Sequence, residues 1–134
     1  MKKISYLLIL LPILLLSCQQ KKSTQTASGL KNSGVFEKLS KDAFVLKMEE
    51  KADKVLIDVR TPEEIQNGTI QKAVNINFFD KNFEELILKL DKSKPVFIFC
   101  QSGGRSGKAF NKMKDLEFRE VYELKGGYNG WKTQ

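Results

Sequence analysis

Cys100 closes the apolar segment Pro95-Val-Phe-Ile-Phe-Cys100 and is followed by Gln101-Ser102-Gly103-Gly104-Arg105-Ser106. The chemistry such a run could do is that of a sulfur nucleophile beside an anion site. Paired glycines let the backbone curl until successive N–H groups point inward, and a helix starting just beyond them adds the positive end of its dipole. Arg105 contributes a fixed positive charge. A thiol in that field loses its proton more readily than a free cysteine, and the thiolate is the reactive form. A cysteine at the end of an apolar strand otherwise behaves as a small inert hydrophobe. The loop decides between the two readings: Cys100 is the nucleophile with Arg105 beside it, and Gln101, Ser102, Gly103, Gly104 and Ser106 form the binding loop. Asp58 and Arg60, at the end of another apolar run, read as supporting residues acting through a cap or an ion pair.

Composition limits how the thiolate can be generated. The chain of 134 residues has no histidine and two cysteines. That removes the commonest general base, every Cys–His or Ser–His pair, and most zinc and haem arrangements. Neither a metal nor an organic cofactor is expected, and activation must come from the backbone and fixed charge. At most one disulfide is possible, so a hydrophobic core must carry stability. The net charge of +7 is spread over lysines that are not interleaved with aromatics, which describes a solvated surface rather than a nucleic-acid interface. A monomer is expected.

The elements that must position Cys100 alternate between strand and helix. Ser40 can cap a helix through KDAFVLKMEEK, with Phe44, Val45 and Met48 on one stripe. Lys54–Val59 is a short β-branched apolar run, a buried strand. Thr61-Pro62-Glu63-Glu64 opens a helix with a capping threonine, a first-turn proline and acids at the positive dipole end, and Asn67-Gly68 stops it. Ala73–Ile76 is a further short strand. Phe83, Leu86, Ile87 and Leu90 are spaced for one helical face, Pro95–Cys100 is the central strand, and a helix is expected from about Ser106 with Ala109, Phe110, Met113 and Leu116 inward. Val121–Leu124 closes as a strand. Lys125–Gly130 reads as a glycine-rich turn, with Tyr128 and Trp131 as turn and core residues. Such alternation predicts an α/β domain, a mostly parallel sheet with helices on both faces.

That domain is expected over residues 34–134. Ahead of it, Lys2 and Lys3 precede the uncharged apolar run Tyr6–Leu16, which has the length of a secretory signal and contains Pro12. It is short of the roughly 18 apolar residues that a spanning helix requires. Leu15-Leu16-Ser17-Cys18 follows, resembling the lipobox of bacterial lipoproteins, so residues 1–17 read as a removed leader and Cys18 as a lipidation site. Acyl chains on Cys18 would hold the protein on a membrane of the bacterial cell envelope; a plain secretory signal cleaved near Ser17 is the alternative. Residues 18–33 then form a polar tether with a reach of about 20 Å.

Four motifs occur in register along the domain. Asp58-Val-Arg60 with Thr61-Pro-Glu-Glu64 is followed by Gly68-Thr-Ile70 and Ala73-Val-Asn-Ile76, then Cys100-x-x-Gly103-x-Arg105-Ser106, then Leu124-x-Gly126-Gly127-x-x-x-Trp131. Together they resemble the single-domain rhodaneses, the rhodanese-like sulfurtransferases. The resemblance implies a three-layer domain with a central five-stranded sheet, a cysteine that becomes a persulfide, and a loop of amides around the transferred sulfur. It implies transfer of a sulfane sulfur from a donor such as thiosulfate to a thiophilic acceptor, either a small thiol or anion or a thiol protein. A persulfide carrier or docking module is the alternative. Where the family often has Gly-His-Ile, this chain has Gly68-Thr69-Ile70, and Thr69 is expected at a packing position. Related phosphatases and arsenate reductases carry a Cys-x5-Arg loop; the Cys-x4-Arg count here favours a single sulfur atom as the group held.

Overall fold

The computed structural model describes residues 34–133; the leader, Cys18 and the tether read from the sequence lie outside them. The elements run β1 (Val35–Leu39), α1 (Lys41–Glu50), β2 (Val55–Asp58), α2 (Pro62–Ile65), β3 (Val74–Asn75), α3 (Phe83–Leu88), β4 (Val96–Phe99), α4 (Gly104–Asp115), β5 (Glu120–Leu124) and α5 (Gly127–Lys132). Five strands form one sheet in the order β1-β5-β4-β2-β3, and every pairing is parallel. No helix among the described residues is long and apolar enough to cross a membrane.

Strand β4 lies at the centre, and all its residues are buried. Successive side chains of a strand point to opposite faces. Val96 and Ile98 therefore join Ile57, Ile87, Ala109, Phe110, Met113 and Val121 in a core under α3 and α4. Phe97 and Phe99 join Phe44, Leu56, Ile70, Tyr122, Leu124 and Tyr128 in a second core under α1 and α5. A sheet covered on both faces explains why KVLIDV and PVFIFC read as continuous apolar runs rather than alternating ones.

Strand order places the site. From β2 the chain steps outward to β3, then crosses back to β4 on the other side of β2. Neighbouring strands whose connections leave in opposite directions open a crevice at their carboxyl ends. The register pairs Asp58 with Phe99, so the segments leaving β2 at Val59-Arg60 and β4 at Cys100 emerge side by side.

Several boundaries differ from the sequence reading. Strand β1 has no signal in the sequence, because VFEKL pairs along an edge and shows the pattern of an exposed strand, with no buried residue to announce it. Helix α4 begins at Gly104 rather than about Ser106, so it takes Arg105 into its first turn. Lys125–Gly130 is not only a turn: Gly126 and Gly127, at φ of 73° and 54°, swing the chain directly into α5. Helix α3 ends at Leu88, leaving Leu90 beyond it, and Ser40 occupies the N-cap position of α1 without a side-chain cap bond.

Candidate active site

Cys100 follows the last residue of β4 and is almost wholly buried. Its carbonyl accepts the Tyr128 N–H at 2.7 Å, and the Gln101 carbonyl accepts the Asn129 N–H at 2.9 Å, so the first turn of α5 holds the start of the loop. The side chain of Gln101 also donates to Asn129 Oδ1. Gly127 makes this approach possible. A Cβ there would stand 2.3 Å from the Cys100 carbonyl oxygen and 2.9 Å from the Ser102 nitrogen.

Held this way, the loop curls around the sulfur. The Gly103 N–H donates to Cys100 Sγ at 3.1 Å, with Gly103 at a φ of 101° that favours glycine. Ser106, fully buried on the first turn of α4, places its hydroxyl 3.4 Å from Sγ. Burial opposes ionisation of the thiol, but the Ser106 hydroxyl and the amides of Ser106, Ser102 and Gly103 outweigh it, leaving the thiol pKa below its ordinary value. Hydrogen-bond donors are thus what acidify the thiol that the sequence reading takes as the candidate nucleophile.

Arg105 plays a different part from a free cation beside sulfur. Its guanidinium grips the Glu64 carboxylate with both arms, Nη1 to Oε2 and Nη2 to Oε1, each at 2.6 Å. Glu64 also closes a capping box at the start of α2, accepting the Thr61 N–H at 2.9 Å. The Arg105 fork, against the opposing effect of burial, lowers the Glu64 carboxyl pKa to about 2. Reciprocally, Glu64 raises the guanidinium pKa, burial opposes this, and the nearby Cys100 sulfur adds to the rise. Sequence reading took Glu64 only as a helix-start acid; its partner lies 41 residues away. The exposed ring of Phe79 covers Arg105 at 5.4 Å.

Asp58 and Arg60 form the expected ion pair, both 1% exposed, with Nη2 2.6 Å from Oδ2. Arg60 further donates to the Gly68 carbonyl at 2.8 Å and to Gln101 Oε1 at 3.2 Å, and its guanidinium lies 4.0 Å from the Tyr128 ring centre. One buried arginine therefore links the β2 end, the 64–68 turn, the cysteine loop and α5. Thr69 is more than a packing residue: its hydroxyl donates to Asp58 Oδ2 at 2.7 Å. Asn75 joins them by donating to the Asp58 and Arg60 carbonyls at 2.9 and 2.8 Å. A cleft of about 370 Å³ lined by Arg60, Glu64, Asn67, Gln101, Tyr128 and Lys132 opens beside the loop. Of the loop residues expected with Cys100, Gly103 and Ser106 donate to its sulfur and the Ser102 amide helps to lower its pKa, whereas Gln101 turns its side chain to Arg60 and Asn129 and Gly104 opens α4. Among the described residues no cluster of Cys, Asp or Glu is arranged to hold a metal ion.

A parallel three-layer α/β domain whose central strand ends in a thiol wrapped by backbone donors is a distinctive class. Within it, the chain belongs to the rhodanese-like domain family, whose sequence model matches residues 40–134. It is 38% identical over 76 residues to the uncharacterized protein YqhL of Bacillus subtilis, a match covering 57% of this chain and 59% of that one, less than two thirds of the relative's length. To the thiosulfate sulfurtransferase GlpE of Coxiella burnetii it is 32% identical over 83 residues, 62% of this chain and 76% of the relative. Among solved structures, the rhodanese-like domain protein of Staphylococcus aureus matches with a TM-score of 0.64 over 74% of this chain and 94% of that one, at 23% identity, a likeness of fold alone.

Proposed function

We propose that this protein is a sulfurtransferase that carries a sulfane sulfur on Cys100. The observation supporting this most directly is the thiol itself, nearly buried yet made more acidic by the Gly103 N–H at 3.1 Å and the donors around it. In the first step the Cys100 thiolate attacks the outer sulfur of thiosulfate. The Cys100–sulfur bond forms, the sulfur–sulfur bond of the donor breaks, and its electron pair leaves on sulfite. The terminal persulfide sulfur then carries the negative charge, which inward N–H groups and the start of α4 stabilise. In the second step a nucleophilic acceptor, cyanide or a thiolate, attacks that terminal sulfur; the electron pair of the broken bond returns to Cys100 as thiolate. Arg105 and Glu64 hold the loop at the α2 side, and Asp58 and Arg60 hold it at the β2 side.

The test gives the full chain thiosulfate and cyanide, and in parallel an aryl phosphate and arsenate. Thiocyanate should form from the first alone, and mass spectrometry after thiosulfate should find one extra sulfur on Cys100. Cys100→Ser should lose thiocyanate formation by a factor of about 1000 or more while keeping its circular dichroism. Phosphate release, or activity surviving in the serine variant, would overturn the assignment. One added sulfur per chain with negligible turnover would point to a carrier instead. The lipobox-like Leu15-Leu16-Ser17-Cys18 supports a second element of the proposal, that the domain works from a lipid anchor at the cell envelope.

A further inference from the structure

The Ser106 hydroxyl has one proton and two acceptors within reach, Cys100 Sγ at 3.4 Å and Glu123 Oε1 at 2.8 Å. Ser106 and Glu123 are 0% and 2% exposed, so neither side chain can turn to water. Alternation along β5 puts Glu123 on the same face as Val121, where a carboxylate interrupts the apolar core beneath α4. Its second oxygen, Oε2, has the Lys38 ammonium at 2.8 Å but no hydrogen bond of good geometry. Lys38 stands on the edge strand β1, and its side chain is 48% exposed. Gly107 leaves room for the pair, since a Cβ there would lie 3.4 Å from both Glu123 Oε1 and Lys38 Nζ. A row of polar atoms therefore runs from the sulfur through β5 to solvent at β1. The other charges around the thiol have partners of their own: Arg105 of α4, which also faces the sulfur, pairs with Glu64 of α2, and Arg60 pairs with Asp58 at the end of β2.

We propose that Glu123 is a positioning residue for the nucleophile: its carboxylate competes with the Cys100 sulfur for the single proton of the Ser106 hydroxyl, and Lys38 on the far side weights that competition. The proposal rests on reading Cys100 as the nucleophile. In the thiolate state the hydroxyl turns to the sulfur, where the charge is. Once Sγ is bonded to a second sulfur the charge moves to the outer atom, and the hydroxyl turns back to Glu123. No proton leaves Ser106; only its direction changes. A buried hydroxyl thus keeps an acceptor at both stages. The carboxylate favours the loaded state, and Lys38, by drawing on the carboxylate's charge, favours the free thiolate.

The sign of each substitution follows. Glu123→Gln removes a negative charge and offers Ser106 an N–H donor, releasing the serine proton to sulfur, so the thiolate forms at lower pH. Lys38→Met strengthens the competing carboxylate, so the thiolate forms at higher pH. The measurement is the rate of Cys100 alkylation by iodoacetamide against pH in the full chain, with the label located by peptide mass mapping because Cys18 is a second cysteine in the sequence. The midpoint should fall by roughly 0.5–1 pH unit in Glu123→Gln and rise by a similar amount in Lys38→Met. On a Ser106→Ala background the Glu123→Gln shift should shrink by more than half. Unmoved midpoints, shifts in the same direction, or a full shift without Ser106 would overturn the proposal. Lys38 is half exposed, so its variant decides the matter even if Glu123→Gln fails to fold. Alkylation needs no sulfur donor, so this result is independent of whether the protein transfers sulfur.

Discussion

The contacts that matter most to Cys100 separate into those near in sequence and those far from it. Gly103, Arg105 and Ser106 follow the cysteine within six residues, at the junction of the loop and α4, which is why the candidate nucleophile and the donors around it were legible from residue types and spacing. Glu64 and Glu123 were not, because each is an ordinary acid in its own segment and acquires meaning only through a partner brought by the fold. Thr69 is the same case, a hydroxyl whose acceptor Asp58 lies on the preceding strand. The Glu64–Arg105 pair yields a stability prediction. The Glu64 carboxyl is lowered from an ordinary 4.5 to about 2, so its contribution is fully present above pH 4.5 and is lost as pH falls through about 2. Glu64→Gln should unfold more easily at neutral pH, by about 1–2 kcal/mol after allowing for its partial exposure, and the gap should close on acidification. Urea titrations of both proteins at neutral pH and near pH 3 read this directly. A gap that widened in acid would contradict the pairing.

Element boundaries follow from whether a segment has its own signal. The strands β2 and β4 and the stripe of α3 carried one in their apolar runs. By contrast, β1 is an edge strand of mixed residues that forms because β5 offers it a ladder, from Val35 opposite Glu120 to Leu39 opposite Leu124. Helix α5 was hidden for another reason: Gly126-Gly127 has the composition of a loop, and what requires glycine is the approach to the Cys100 carbonyl. Gly127→Ala sets a methyl carbon 2.3 Å from that oxygen, closer than any real contact, and leaves alanine at a φ of 54°. The α5 start must back away from the cysteine loop. The variant should be destabilised by roughly 2–4 kcal/mol, and its Cys100 alkylation profile should move toward that of an ordinary thiol. Wild-type stability and an unchanged profile in Gly127→Ala would show that α5 does not shape the loop.

Across the whole molecule, the sheet brings the ends of β2 and β4 and the start of α5 to one crevice, and the proposed lipid anchor ahead of residue 34 is a separate matter with its own test. If Cys18 carries lipid, the expressed protein should partition with membranes, and Cys18→Ala should shift it to the unacylated precursor, visible as a larger mass and a change of fraction; soluble, unacylated wild-type protein would reject the anchor. The pairing of β1 with β5 also has a consequence in time. Contacts between distant parts of a chain form slowly and only after both have been made. The sheet is sealed by residues 120–124, and the loop around Cys100 is fastened by Tyr128 and Asn129. While a chain is being made, Cys100 has already emerged but its amide cradle has not assembled. Its thiol then has the reactivity of any cysteine in an unfolded peptide. The acidity of the thiol arrives with the fold, so a half-made or stalled chain carries an ordinary cysteine in its place.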